Sequence, residues 1–145
     1  MNVKNLRILT IIQGKDITNY GISTILNSIK LNSLVIGNLD KITNFKVSSN
    51  IQLQNFACYR CQSIDNYGLI NILQFSPNLE KFKIHNCNCI NDNIFEILYN
   101  ITTKKRNKIL TVDVNTFLIN NLNLNYKYNN NIEYKHITLN ENFSF

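Results

Sequence analysis

The sequence predicts an α/β solenoid, with a parallel β-sheet on the concave face and short helices on the convex face. An apolar-x-x-apolar-x-apolar pattern recurs six times along the 145 residues, and a helix-capping residue follows several of the copies. The two best-preserved copies, which start at Leu53 and Leu79, match at a fixed offset of 26 residues. Such periodicity is typical of arrays in which each unit buries its apolar face against its neighbours.

The six copies define the expected strands. Because side chains alternate along a strand, the last two apolar residues of each triplet point to one side and form the core rows of the sheet. We expect a single domain over residues 1–145, with units that start near residues 6, 31, 53, 79, 109 and 134, the last being the weakest. The triplets are Leu6-Leu9-Ile11, Leu31-Leu34-Ile36, Leu53-Phe56-Cys58, Leu79-Phe82-Ile84, Ile109-Val112-Val114 and Tyr134-Ile137-Leu139.

Short helices are expected after most strands. Residues 17–22 and 64–69 are nearly identical, and in each a Thr or Asp that can cap a helix precedes apolar residues at helical spacing. Residues 90–94 repeat this signature in the fourth copy. The second copy is short, and residues 45–50 leave room for one helical turn at most. Residues 117–124 are the expected outer element of the fifth copy.

The combined pattern is Leu-x-x-Leu-x-Leu-x-x-Cys-x-x-Ile-Thr/Asp-Asp-x-(Gly)-Leu-x-x-Leu, and it resembles the cysteine-containing subtype of the leucine-rich repeat. The third and fourth copies carry the cysteine of this pattern as Cys61 and Cys87. Gly14, Leu39 and Phe117 stand at that position in the first, second and fifth copies. The match covers residues 5–101 well and the remainder weakly. The resemblance implies a curved leucine-rich-repeat solenoid of five to six repeats.

This subtype is typical of F-box/leucine-rich-repeat proteins and of the related mitotic-exit antagonist proteins. The resemblance therefore implies a protein–protein interaction module that binds its partner on the concave face. A more specific implication is substrate recognition, as an adaptor in an SCF-type ubiquitin ligase system. The sequence contains no F-box, so this chain alone is not expected to recruit the ligase.

Residues that alternate with the core positions are expected on the concave face. At its centre an aromatic side chain lies among basic ones, a combination that suits an acidic or amphipathic protein partner. At its N-terminal end Ile8 and Ile12 are expected to be exposed, because no polar cap precedes Leu6. If the chain is a piece of a longer array, or if another element packs on this end, they would be covered there. The predicted partner-binding residues are Asn55, Tyr59, Arg60, Lys81, Lys83, His85, Asp113 and Asn115.

The net charge of +6 suggests an alternative function, binding of nucleic acid or another acidic surface. Four basic residues form one cluster, Lys104, Lys105, Arg106 and Lys108, between the helix of the fourth copy and the fifth strand. We expect this cluster to be a solvated loop. No aromatic residues interleave with it, as base stacking would require, so nucleic acid is the less favoured partner.

The four cysteines suggest a second alternative, a small zinc-binding module. Cys58-x-x-Cys61 and Cys87-x-Cys89 have ligand-like spacing, and His85 is near in sequence. However, Cys58 occupies an inward strand position, and Cys61 and Cys87 occupy the cysteine position of the repeat. Only Cys89 lacks such an explanation. We therefore expect neither metal nor other cofactor, and no enzyme, because buried structural thiols are inert.

The sequence shows no targeting segment and no apolar run of membrane-spanning length. The four cysteines are therefore expected to be thiols in a reducing compartment, the cytoplasm or the nucleus. We expect no membrane partner, and the sequence makes no prediction of the oligomeric state.

Overall fold

The computed structural model describes residues 5–91, 93–105, 109–115 and 132–134. Over these residues the strands form one sheet in which they follow their order in the sequence, and every neighbouring pair is parallel. The predicted α/β class with a parallel sheet is therefore confirmed. The strands are β1 (Ile8–Ile12), β2 (Ser33–Gly37), β3 (Asn55–Tyr59), β4 (Lys81–His85), β5 (Leu110–Asn115) and β6 (Ile132–Tyr134).

Helices follow the first, third and fourth strands, as the sequence predicts. The predicted caps are confirmed: the Asp65 carboxylate accepts the Gly68 N–H at 2.8 Å, and the Thr18 hydroxyl accepts the Gly21 N–H at 3.4 Å. No helix of the described residues is long and apolar enough to cross a bilayer. The helices are α1 (Asn19–Ser28), α2 (Asn66–Phe75) and α3 (Asn93–Lys105).

The second unit has no helix between β2 and β3. Its extended segment is held by side chains of the flanking helices. The Asn27 amide donates to the Lys46 carbonyl at 2.8 Å, and the Ser23 hydroxyl accepts the Lys46 N–H at 2.9 Å. From α2, the Asn71 amide donates to the carbonyl of the buried Phe45 at 2.7 Å. The prediction of at most one helical turn in this unit is confirmed.

The strand register aligns the apolar triplets into two continuous rows on the side that faces the helices. The rings of Phe56 and Phe82 stack at 5.9 Å, and Phe45 meets Phe56 edge-on at 5.8 Å. The members from β2 to β5 are almost wholly buried, whereas those of β1 are half-buried. The rows are Leu9-Leu34-Phe56-Phe82-Val112 and Ile11-Ile36-Cys58-Ile84-Val114.

Each of the first four strands is followed by a residue in the left-handed region, which is uncommon for residues other than glycine. These residues are Gln13, Asn38, Arg60 and Asn86, with φ between 51° and 63°. The N–H groups of the first three donate to the last carbonyl of the next strand, at 2.9 to 3.0 Å. The reversal turns the following residue inward, and Gly14, Leu39, Cys61 and Cys87 are accordingly half-buried or buried.

Two predictions for the C-terminal units are wrong. The register pairs Tyr134 with Val112, whereas the sequence pattern places Ile137 there, so β6 lies three residues earlier than predicted. Apolar and polar residues also alternate in Ile132–Tyr134, as they do in a half-buried strand. The weak sixth triplet therefore did not distinguish the observed register from the predicted one.

The helix α3 includes Lys104 and Lys105, which the sequence predicted to lie in a loop. Residues 102–105 contain neither Gly nor Pro, so no helix-breaking residue ends α3 earlier. The predictions for Arg106, Lys108 and residues 116–131 and 135–140 fall outside the described residues.

Candidate functional site

The outer sheet face is the side of the sheet that carries the residues between the core rows. Six of the predicted partner-binding residues lie on it, on the central strands β3, β4 and β5, and the backbone of Asn115 pairs with His85 at its edge. By register its rows are Ile8-Ser33-Asn55-Lys81-Thr111, Thr10-Val35-Ala57-Lys83-Asp113 and Ile12-Gly37-Tyr59-His85-Asn115.

Four of these residues, Tyr59, Lys83, His85 and Asp113, form what we call the Asp113 network. The His85 Nε2 lies 2.7 Å from Asp113 Oδ1, and the Lys83 Nζ lies 3.3 Å from Asp113 Oδ2. The Tyr59 ring meets the His85 ring edge-on, with 5.5 Å between their centroids. Register explains the assembly, because Lys83 stands directly opposite Asp113 and His85 stands one face position further along β4. Two side chains of β4 thus meet the carboxylate on β5, and Tyr59 of β3 packs against one of them.

Asp113 is only 8% exposed, although it belongs to the outer sheet face. Burial alone would raise its pKa, but the hydrogen bond and charge of His85, followed by those of Lys83, outweigh burial and lower the pKa below its ordinary value. Asp113 is therefore an anion that forms an ion pair with Lys83 and accepts a hydrogen bond from His85. Lys81, by contrast, is solvent-exposed on the same face.

The centre of the outer sheet face is less open than the sequence predicts. Ala57 and Asp113 are buried, although both belong to this face. Asn55, Tyr59 and His85 are half-buried. Arg60 lies one residue beyond β3, in the left-handed conformation, and it is not part of the strand pairing. Its side chain is exposed beyond the carboxyl end of the strand.

The N-terminal end of the outer sheet face is apolar. Ile8 is 67% exposed and Ile12 is 48% exposed, which confirms the prediction for both residues. Between this end and the Asp113 network lie Val35, which is half-buried, and Gly37, which is buried. The face therefore changes from apolar at β1 to charged at β4 and β5.

Three of the cysteines are buried free thiols, and Cys89 is an exposed one. The Cys61 thiol donates to the Tyr59 carbonyl, and the Cys87 thiol donates to the His85 carbonyl, both at 3.5 Å. The predicted core positions of these cysteines are therefore confirmed.

Cys58 lies with its sulfur 3.7 Å from the sulfur of Cys87. Its hydrogen bonds with Cys61 and Cys87, together with burial, raise its pKa, so it is a neutral thiol. Across the part of the chain that the structure describes, no three His, Cys, Asp or Glu side chains converge as metal ligands. The imidazole of His85 contacts Asp113 and Tyr59 on the outer sheet face, while the three buried thiols belong to the core.

Two half-open grooves lie away from the Asp113 network. One of about 660 Å³ runs between α1 and the segment after β2, and its lining includes Tyr20, Thr24 and Lys46. The other, of about 740 Å³, lies beyond the ends of β1 and β2 and is lined in part by Lys15 and Asp40. Neither groove is lined by a residue of the Asp113 network or by any of the predicted partner-binding residues.

The sequence identified the members of the Asp113 network but not their association. The available signal was that Lys83 and Asp113 occupy the same place in successive copies, which puts opposite charges on adjacent strands. The contact between His85 and Asp113 is diagonal, and its formation depends on side-chain rotamers that the repeat pattern does not specify.

Comparison of the chain with protein-family models, with curated proteins and with solved structures gives no match in any of the three.

Proposed function

We propose that the chain is a leucine-rich-repeat domain of the cysteine-containing subtype, and that it binds a protein partner on its outer sheet face. The repeat assignment is supported by a unit that recurs in detail. Cys61 and Cys87 each follow a left-handed residue, and each thiol bonds the carbonyl two residues before it. Each cysteine thus anchors the turn at the end of its strand from inside the core.

The Asp113 network is the observation that carries the binding proposal. The four preceding units have Thr10, Val35, Ala57 and Lys83 at the position of Asp113, so a strand of this sheet does not need a carboxylate there. Partial burial of a charge is unfavourable unless the charge is paired. Here the pairing holds three side chains in a defined arrangement, and such preorganisation lowers the entropy that binding must overcome.

The composition of the face favours an acidic or amphipathic protein segment as the partner. Tyr59 supplies an aromatic side chain, of the kind enriched at protein interfaces. Lys81, which is exposed beside the network, supplies a cation for an acidic group. The apolar end of the face, at Val35 and Ile12, would accept the apolar side of such a segment.

The resemblance to F-box/leucine-rich-repeat proteins favours a specific form of this function, substrate recognition in an SCF-type ubiquitin ligase system. Because the sequence contains no F-box, the chain is fused to one for this test. Under the proposal a captured partner is ubiquitinated in a reconstituted SCF reaction only when this fusion is added. The change Lys81→Glu should abolish this ubiquitination. Equal ubiquitination of the partner without the chain would contradict the adaptor role.

The alternative is binding to nucleic acid or another acidic surface through Lys81 and the basic cluster that begins at Lys104. It has weaker support, because Asp113 already neutralises Lys83 and occupies the imidazole of His85. The alternative requires an affinity for RNA or DNA that falls steeply as salt is raised. A flat salt response, or no binding at low salt, would exclude it.

Affinity capture with matched charge reversals tests the main proposal. Lys81→Glu alters the outer sheet face, whereas Lys46→Glu makes the same change of charge on the exposed segment beside α1. We expect the first variant to lose partners that the native chain and the second variant retain. If both variants capture the same partners in the same amounts as the native chain, the outer sheet face is not the binding surface.

A further inference from the structure

The strand β1 leaves one edge without a partner strand among the described residues. On its other edge, the Arg7 carbonyl accepts the Ser33 N–H and the Gln13 N–H donates to the Gly37 carbonyl, both at 3.0 Å. Backbone groups alternate in direction along a strand, so Leu9 and Ile11 also point toward β2. The N–H and C=O groups of Ile8, Thr10 and Ile12 therefore point away from the sheet.

The core side chains of β1 are more exposed than those of β2. Leu34 and Ile36 on β2 are fully buried, while Leu9 and Ile11 at the same positions of β1 are half-buried. Edge strands are commonly protected by charges, by proline or by a bulge. The sequence Ile-Leu-Thr-Ile-Ile of β1 contains neither a charge nor a proline, and its pairing with β2 is continuous.

The pattern of β1 is symmetric about Thr10, and this symmetry identifies the occupant of the edge. We propose that two copies of this chain pair antiparallel through β1, around a two-fold axis that passes through Thr10. In that register Ile8 of one copy faces Ile12 of the second, Leu9 faces Ile11, and Thr10 faces Thr10. Apolar side chains thus meet apolar side chains on both sides of the sheet, and threonine pairs across strands favourably.

The same register satisfies the backbone and the charges. In an antiparallel ladder, residues of a hydrogen-bonded pair exchange both of their N–H···O bonds. Ile8, Thr10 and Ile12, whose groups point outward, are the residues that would form such pairs. Beyond the strand, Arg7 faces Gln13 of the second copy and Lys15 faces Asn5, so no like charges stand opposite each other.

Pairing of this kind ends with two copies. A two-fold interface uses the same surface on both chains, so it closes and leaves no second β1 edge for growth. The outer sheet faces of the two copies stay on the same side of one continuous sheet. The Asp113 network lies on β3, β4 and β5, away from the axis, so the pairing of β1 does not rest on the proposed function.

Sedimentation velocity tests the backbone part of the proposal. The native chain should pass from monomer to dimer as its concentration is raised. Thr10→Pro removes an outward N–H without removing a bond to β2, so it should abolish the dimer, while Thr10→Val should retain it. A native chain that stays monomeric, or species larger than a dimer, would overturn the proposal.

Charge pairs test the register, and they remain informative if Thr10→Pro fails to fold. The double change Ile8→Lys with Ile12→Lys puts like charges opposite each other and should abolish the dimer. Ile8→Lys with Ile12→Glu puts opposite charges across the axis and should restore it, with a dependence on salt. Equal behaviour of the two doubles would overturn the proposed register.

Cross-linking tests the axis itself, in a chain with Cys89→Ser to remove the exposed thiol. Directly opposed residues of an antiparallel pair have Cα atoms about 4.5 to 5.5 Å apart, which a disulfide can span. Thr10→Cys should therefore give a disulfide-linked dimer upon mild oxidation with oxidised glutathione. The same change at the exposed Thr24 on α1 is the control, and equal cross-linking at both sites would overturn the axis at Thr10.

Discussion

The imidazole Nε2 of His85 lies 2.7 Å from Oδ1 of Asp113, so a side-chain contact joins β4 to β5 across the outer sheet face. The second carboxylate oxygen of Asp113 lies 3.3 Å from Lys83 Nζ. Both basic residues belong to β4, and Lys83 stands opposite Asp113 in the register. A single acid on β5 thus sets the positions of two basic side chains, and it links stability of the sheet to organisation of the candidate site.

Replacement of that acid should destabilise the fold. Asp113→Ala removes the acceptor for both basic residues, and hydrogen bonds to charged groups contribute about 1.5 to 3 kcal/mol each, so we expect a loss of about 2 kcal/mol in the free energy of unfolding. Urea denaturation at neutral pH measures this loss. Asp16→Ala is the control, because Asp16 is fully exposed and lies 3.9 Å from Lys41, and it should cause no measurable change. Equal effects of the two changes would contradict a stabilising network.

The contribution of Asp113 should also depend on pH. Its folded-state pKa is lowered, so the stabilisation is present above the ordinary aspartate pKa of about 3.9 and is lost as pH falls through the lower folded value. The difference in unfolding free energy between the native chain and Asp113→Ala should therefore shrink as pH falls below about 4. Urea titrations across the acid range measure it. A difference that grows in acid would contradict the direction of the shift.

Two glycines at the same helical position should respond in opposite directions to alanine. A Cβ on Gly68 of α2 would strike the backbone carbonyl oxygen of Thr43, so Gly68→Ala should cost about 1 to 3 kcal/mol. A Cβ on Gly21 of α1 would meet only the Thr18 hydroxyl, at 3.9 Å, so Gly21→Ala should stabilise the chain by up to about 1 kcal/mol. Thermal and urea unfolding compare them. If Gly68→Ala is neutral, α2 does not pack against the helix-free second unit as described.

The accessibility of the thiols should separate Cys89 from the other three cysteines. In the native state only Cys89 should react rapidly with Ellman's reagent, because Cys58, Cys61 and Cys87 are buried. All four cysteines should react after denaturation, since none is in a disulfide. Rapid native reaction of more than one thiol would contradict their burial. Cys89→Ser should abolish the rapid phase.

The regular part of the fold could be predicted because the same apolar triplet and capping residues recur in successive units. The apolar triplets gave the register of β1 to β5, and the residues Thr18 and Asp65 gave the starts of α1 and α2. The pattern failed where it was weak. For β6 it gave a register displaced by three residues.

The candidate site was harder to predict than the fold. Alternation placed Tyr59, Lys83, His85 and Asp113 on one face, but burial of Asp113 and its bond to His85 arise from side chains that lean across strands. The left-handed residues after the strands were also missed. Asn38 and Asn86 carried a signal, since asparagine is enriched in this conformation, but Gln13 and Arg60 did not.

Lysine footprinting of the chain in complex with a captured partner tests the central claim most directly. Lys81 and Lys46 are both exposed in the free chain, so an amine-reactive acetylating reagent should modify both of them. When the partner is bound, we expect mass spectrometry to show Lys81 protected and Lys46 still modified, because the partner covers the outer sheet face. Protection of Lys46 with Lys81 still reactive, or equal modification of both in the complex, would contradict the account.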